Sequence, residues 1–159
     1  DGSQTYVDDG KNSYKGLELT VNGKIADKWT ATGGLMYIDA EREKTANGTK
    51  DGYYVNGVAK WSGVMGLVYE PDENWDIIGR AVWSDKAYLE ASNQKIEIPS
   101  YVTFDLGVSY KTKINSVPVK LSAMCYNVAD KDYWYGRGGS PTFGLSMPRT
   151  FMLSAQFDI

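Results

Sequence analysis

Pro148-Arg-Thr-Phe-Met-Leu-Ser-Ala-Gln-Phe-Asp-Ile159 closes the chain. Read in steps of two, Phe151, Leu153, Ala155, Phe157 and Ile159 share one face, and Thr150, Met152, Ser154, Gln156 and Asp158 share the other. Side chains of a strand point alternately to opposite sides, so this pattern predicts a β-strand between an apolar and a polar environment. The apolar set runs to the last residue, where chain ends usually fray into polar tails. A terminal strand of this kind pairs on both edges in a closed barrel. An edge strand of a soluble sandwich is the other reading of these residues alone.

The same alternation recurs upstream. Strands are expected at about residues 17–25, 29–39, 57–70, 75–83, 102–111 and 119–126, which with 148–159 makes seven. Leu17, Leu19, Val21 and Ile25 oppose Glu18, Thr20, Asn22 and Lys24 in the first. Val102, Phe104, Leu106, Val108 and Tyr110 oppose Thr103, Asp105, Gly107, Ser109 and Lys111 in the fifth. No helix longer than about a turn is expected between them. The polar, Gly- and Asp-rich residues 1–15 read as loop.

Two regularities narrow the class to a membrane barrel. Connections alternate short and long: 26–28, 40–56, 71–74, 85–99, 112–116 and 128–147. Tight turns at one rim and long loops at the other characterise outer-membrane barrels. Aromatic residues also recur eight positions apart on the apolar face, as Trp29 and Tyr37, Trp61 and Tyr69, and Trp75 and Trp83. At roughly 3.3 Å per residue and a tilt near 40°, they stand about 20 Å apart in height, close to the roughly 25 Å apolar band between two aromatic girdles. Small residues between the rings (Ala31, Gly33, Gly63, Gly79, Ala81) suit a lipid-facing wall and would underfill a soluble core.

Composition excludes several functions. A net charge of -3 leaves no basic footprint for nucleic acid. No apolar run reaches the length of a transmembrane helix, and a mean hydropathy of -0.41 is compatible with strands apolar on one face only. With no histidine, the commonest general base and transition-metal ligand is missing. Cys125, the single cysteine, is expected to pack within its strand. The acidic groups Asp8/Asp9 and Asp39/Glu41/Glu43 read as solvated loop residues and lack calcium-loop spacing. Gly136-Arg-Gly-Gly139 has no strand–loop–helix context for phosphate, Asn47-Gly48-Thr49 has only the form of a glycosylation site, and Asn127–Tyr133 reads as a structural bend. The chain is not expected to be an enzyme or to hold a resident cofactor.

If the chain ends at the short-turn rim, residues 1–15 belong to a loop on the opposite side. Seven strands and a start inside a loop are expected of part of a larger barrel, because bacterial single-chain barrels have an even strand number.

Five stretches carry a family resemblance: Asn12–Leu19, Trp29–Ala40, Ile98–Tyr110, Tyr126–Tyr133 and Pro148–Ile159. In this order and spacing they resemble the C-terminal part of TonB-dependent outer-membrane receptors, especially ferric-siderophore receptors. The resemblance implies a barrel of about twenty-two strands, with residues 1–159 as a single segment holding the last seven, and with the plug and the TonB-contacting segment upstream. Such chains usually end on an aromatic residue, whereas this one ends on Ile159 with Phe157 on the same face.

The implied cargo is a ferric siderophore or related metal complex, and the implied partners are outer-membrane lipid and, through the upstream part, TonB. Bulky, often aromatic and anionic ligands suit stacking rings with an arginine for charge. The ligand-facing candidates in the long loops are therefore Tyr53, Tyr54, Tyr88, Tyr133, Trp134, Tyr135 and Arg137. The polar strand face (Thr30, Thr32, Ser62, Asp105, Ser109, Lys120, Ser154, Gln156), with Lys60, is expected to line a hydrated lumen. A small self-contained outer-membrane barrel with an adhesive or structural role, and a soluble barrel binding a small apolar ligand, are the alternatives. The isolated segment is expected to self-associate through its open edges.

Overall fold

Seven two-faced segments give seven strands of one antiparallel sheet. The computed structural model describes residues 10–89, 96–139 and 142–158. Asp8, Asp9 and Ile159 lie outside these. The strands are β1 (Lys11–Ala26), β2 (Trp29–Lys44), β3 (Trp61–Tyr69), β4 (Trp75–Ser84), β5 (Ala87–Tyr88), β6 (Glu97–Ile98), β7 (Tyr101–Ile114), β8 (Val117–Tyr126), β9 (Trp134–Gly136), β10 (Phe143–Leu145) and β11 (Thr150–Phe157). The sheet runs β1-β2-β3-β4-β7-β8-β11, so every wall strand pairs with its nearest neighbour in the chain. β5 with β6, and β9 with β10, form separate two-stranded ribbons. β1 and β11 each keep one unpaired edge. The only helical turn among the described residues is a 3-10 turn at Ala46–Gly48.

Burial is inverted relative to a soluble sandwich. Leu17, Leu19, Phe151 and Leu153 are 79%, 61%, 74% and 82% exposed. Asp76, Thr103, Asp105 and Ser109, on the other face, are buried. An apolar face this continuous marks a membrane or protein interface rather than a surface left open to water, which the soluble-barrel alternative does not provide for. Rings meet across strands in two rows on that face. Trp29 and Tyr69 lie 4.7 Å apart and Trp75 and Tyr110 4.6 Å apart at the short-turn end, and Tyr37 and Trp61 lie 4.8 Å apart at the other.

The short-turn rim is stitched by backbone bonds. Glu70 N donates to Lys28 O (2.9 Å) and Lys111 N to Asn74 O (2.7 Å). Asp72 Oδ1 accepts from the amides of Asn74 (2.8 Å) and Trp75 (3.1 Å), which sets the angle at which β4 leaves the turn. Asn115 and Ser116, with φ of 49° and 72°, form a two-residue turn of the kind that matches strand twist.

Four boundaries differ from expectation. β1 begins at Lys11, so residues 11–15 are strand, and β2 runs to Lys44. Cross-strand pairing from Lys15↔Asp39 to Lys11↔Lys44 and a Lys11–Glu43 ion pair of 2.8 Å carry this hairpin past the apolar band. Backbone pairing needs no apolar face there. β3 starts at Trp61, because residues 57–60 are drawn into the loops, and the link after β7 shrinks to two residues. The ribbons β5–β6 and β9–β10 fall in connections that were expected to be irregular.

Candidate functional site

The described parts of the connections 45–60, 85–100 and 127–149 emerge at the same end of the sheet and fold against one another as a crown. Val55 is 1% exposed, and Ala40, Ala87 and Ile98 are buried with it. Val55 N donates to Ala40 O (3.0 Å), Gly57 N to Tyr88 O (2.8 Å) and Gly139 N to Asn56 O (2.9 Å), so each connection is tied to another. Gly57 and Gly136 touch backbone to backbone. A Cβ on Gly136 would collide with Gly57 Cα, and a Cβ on Gly57 would stand 2.9 Å from Arg137 N. Only glycine permits that approach, and the φ of +68° at Gly57 reinforces the need.

Asn127 turns the chain out of β8. Its φ is 51°, and its amide donates to Asp105 Oδ1 (2.8 Å). Its side chain donates to Lys131 O (3.0 Å) and Met147 O (3.1 Å) and accepts from Lys131 N (3.0 Å). Arg149 N donates to Asp130 Oδ1 (2.8 Å), closing the base of the loop. Asp105 also takes Arg80, with Nη2 at 2.6 Å and Nε at 2.7 Å, so one carboxylate joins the wall to the crown. Nearer the short-turn end, Lys111 and Lys120 sit opposite each other, and Asp76 bridges them at 2.6 and 3.2 Å. Without that carboxylate the two ammonium groups would repel.

The seven candidates fall in separate places. Tyr54 and Tyr88 stack at 5.1 Å and 8°. Lys60 Nζ sits 4.5 Å from the Tyr54 centroid and 3.1 Å from Asp39 Oδ1. Hydrogen bonding to Asp39 and then to Tyr54 holds the Lys60 ammonium above its usual range. Tyr133 stacks on Tyr101 at 3.9 Å, and burial followed by the nearby Asp105 charge raises its phenol pKa. Trp134 packs edge-on to Phe143 at 4.8 Å, and Tyr135 lies over Gly144. Tyr53 is held by its carbonyl, which accepts from Arg42 N (2.8 Å). The Arg137 side chain is exposed.

Between crown and wall lies a cavity of about 250 Å3. Trp134 and Tyr135 reach it from the crown, and Met36, Ser62, Ser84 and Tyr101 line it from the wall. These four wall residues were not among the candidates. Their signal was parity: each sits on the polar face at the crown end of its strand. Among the described residues, no group of three His, Cys, Asp or Glu side chains could hold a metal ion.

A sheet with an apolar outer face, a polar inner face, two ring girdles and structured loops at one rim defines a segment of a transmembrane β-barrel. The family described as "TonB dependent receptor-like, beta-barrel" matches residues 1–128, and the chain belongs to it. The TonB-dependent siderophore receptor PiuA of Acinetobacter baumannii is 31% identical over 140 residues, 82% of this chain and 18% of PiuA. BauA, the ferric preacinetobactin receptor of the same species, superposes over 98% of this chain and 23% of its own, with a TM-score of 0.84 and 29% identity. The ferric citrate transporter FecA shares the fold at a TM-score of 0.79 and 19% identity, over 94% of this chain and 25% of its own. The chain thus spans about a fifth of the length of the curated relatives it matches. Its strands are outer-membrane strands; in barrels of this kind the polar face lines the lumen and the short turns form the periplasmic rim.

Proposed function

We propose that this chain is the wall and loop segment of a TonB-dependent receptor that takes up a ferric siderophore across the outer membrane. The 31% identity to PiuA over 82% of the chain carries the reading. The crown supports it, because it presents aromatic side chains at the mouth of a polar lumen. The segment would supply lipid-facing wall, lumen lining and ligand-contacting loops. The energy of transport would come through TonB and the upstream part of the receptor. Trp134, Tyr135 and Arg137 would meet ligand from the β9–β10 ribbon, and Tyr54 and Tyr88 from the neighbouring loops.

The test is uptake of radio-iron by a strain deleted for the gene and complemented in trans. Loss of uptake from at least one ferric siderophore, restored by the gene, supports the reading. Unchanged uptake from every ferric siderophore that supports growth of the parent overturns it. A second metal complex is a specific alternative. The metal-pseudopaline receptor CntO of Pseudomonas aeruginosa is 28% identical over 91% of this chain, so uptake of other divalent-metal complexes is measured in parallel.

A further inference from the structure

The cavity beneath the crown is restrictive in both size and charge. Its roof is Ala59, Ile98, Trp134 and Tyr135, and its floor is the crown end of the polar wall face. Pockets that enclose a drug-sized ligand begin at roughly 300 Å3, and a cavity of about 150 Å3 accommodates benzene. At about 250 Å3 the space matches one substituted ring rather than a whole metal chelate. A second depression of about 330 Å3 continues along the wall and shares Met36, Ser62, Ser84 and Tyr101. A ring seated under the crown can therefore stay attached to a larger body in the lumen.

The charge points away from an anion. Asp85 lines the cavity and Glu18 the second depression, and no Lys or Arg among the described residues lines either. Lys60 is engaged by Asp39, and the Arg137 side chain is exposed. A carboxylate or phenolate seated there would meet like charge, with no cation among the described lining residues to compensate. A neutral hydroxyl can donate to Asp85 or exchange hydrogen bonds with Ser62 and Ser84, while the ring faces pack against Trp134, Tyr135 and Tyr101.

We infer that this cavity is a subsite for one uncharged, hydroxylated aromatic ring, an arm of the transported molecule that does not itself ligate the metal. The inference rests on the receptor reading for the rest of the ligand, but the binding test does not.

Binding is read by fluorine NMR on the intact receptor in detergent, against empty micelles, with para-fluorophenol as the neutral probe and para-fluorobenzoate as its anionic counterpart. Saturable binding of the phenol, with the benzoate at least tenfold weaker, is the expected result. Met36→Trp fills the cavity from the floor and Ala59→Phe from the roof, and each is expected to weaken phenol binding at least tenfold. Met36 is 40% exposed, so the larger ring is accommodated without disturbing the wall. No saturable phenol binding, equal binding of the benzoate, or unchanged binding in both variants overturns the subsite. Phenol binding that is lost in the variants, in a receptor that takes up no metal complex, upholds the subsite and overturns the receptor reading. Gene-dependent metal uptake together with unchanged phenol binding in the variants does the reverse.

Discussion

Wall and crown are built from the same chain by opposite rules. In the wall most large apolar side chains are exposed, Val119 being an exception at 3%, while Asp76, Thr103, Asp105 and Ser109 are buried. In the crown a few apolar side chains, Val55, Ala87 and Ile98, are buried at the centre. The difference follows from the surrounding medium. Lipid solvates the outer face of the wall, so folding need not cover it, and the sheet satisfies its backbone by pairing. The crown stands in water and has to bury its own apolar groups. Arg80, Asp105 and Asn127 form the hinge between the two regimes.

The largest effect should come from exposing the wall to the wrong solvent. The isolated chain without detergent is expected to be wholly associated, since it offers a broad apolar face and two unpaired edges. A detergent-free monomer by light scattering would remove the distinction between the two regions. Next, Leu153→Arg places a charge near the middle of β11 on the lipid face and should cost about 2–4 kcal/mol of barrel stability. Leu153→Ala should cost far less, because lipid fills the gap. Urea unfolding of the receptor in bilayers measures both.

The junction comes third. Asp105→Ala leaves Arg80 and the Asn127 amide without their acceptor. Arg80 is 45% exposed, so the cost should fall to about 2 kcal/mol, below that of breaking a fully buried pair. Limited proteolysis should then cut within 127–149 while β-sheet circular dichroism holds. Cleavage spread evenly over all three loops would mean that Asp105 is not the hinge. Gly136→Ala forces its Cβ onto Gly57 and should cost about 1–2 kcal/mol. Hydrogen exchange should quicken at the Gly57 and Gly139 amides and stay slow in β3 and β4.

The smallest effect is a pH dependence confined to the crown. The Lys60 ammonium is favoured in the folded state, so its folded pKa lies above the ordinary 10.5. Its contribution is therefore complete below about pH 10 and is lost as pH rises beyond that value. Tyr133 is shifted upward too and titrates with the same sign. Proteolysis of loop 45–60 should accelerate above about pH 10 in the wild type and lose much of that dependence in Lys60→Met.

The wall was legible in the sequence because a strand between two solvents must alternate, and residues such as Leu17–Ile25 and Phe151–Phe157 show it directly. The same alternation placed Trp29, Tyr37, Trp61 and Tyr69 before any contact between them was visible. The crown was not legible. β5 and β6 hold two residues each, too few to show a period, and they exist only because distant segments meet. Val55 sits in a polar, Gly-rich stretch with nothing local to mark it as a core residue. The aromatic candidates were chosen by residue type, which cannot say that Tyr54 would stack on Tyr88 while Tyr133 stacked on Tyr101.

The Gly57–Gly136 contact bears on how such a surface can diversify. Lengthening a connection is cheap in principle, since doubling a flexible loop adds only about 0.6 kcal/mol of closure entropy. Loop 45–60 has a tip suited to it. Asp51 Oδ1 accepts from Thr45 N (2.8 Å) and Thr45 Oγ1 (2.9 Å), so the turn closes on itself, and added residues between would leave the rest of the loop in place. The glycine junction has no such slack. Inserted sequence, such as an epitope grafted for display, is accommodated at the Asn47–Gly52 tip, whereas a change at Gly57 or Gly136 obliges the other loop to change with it.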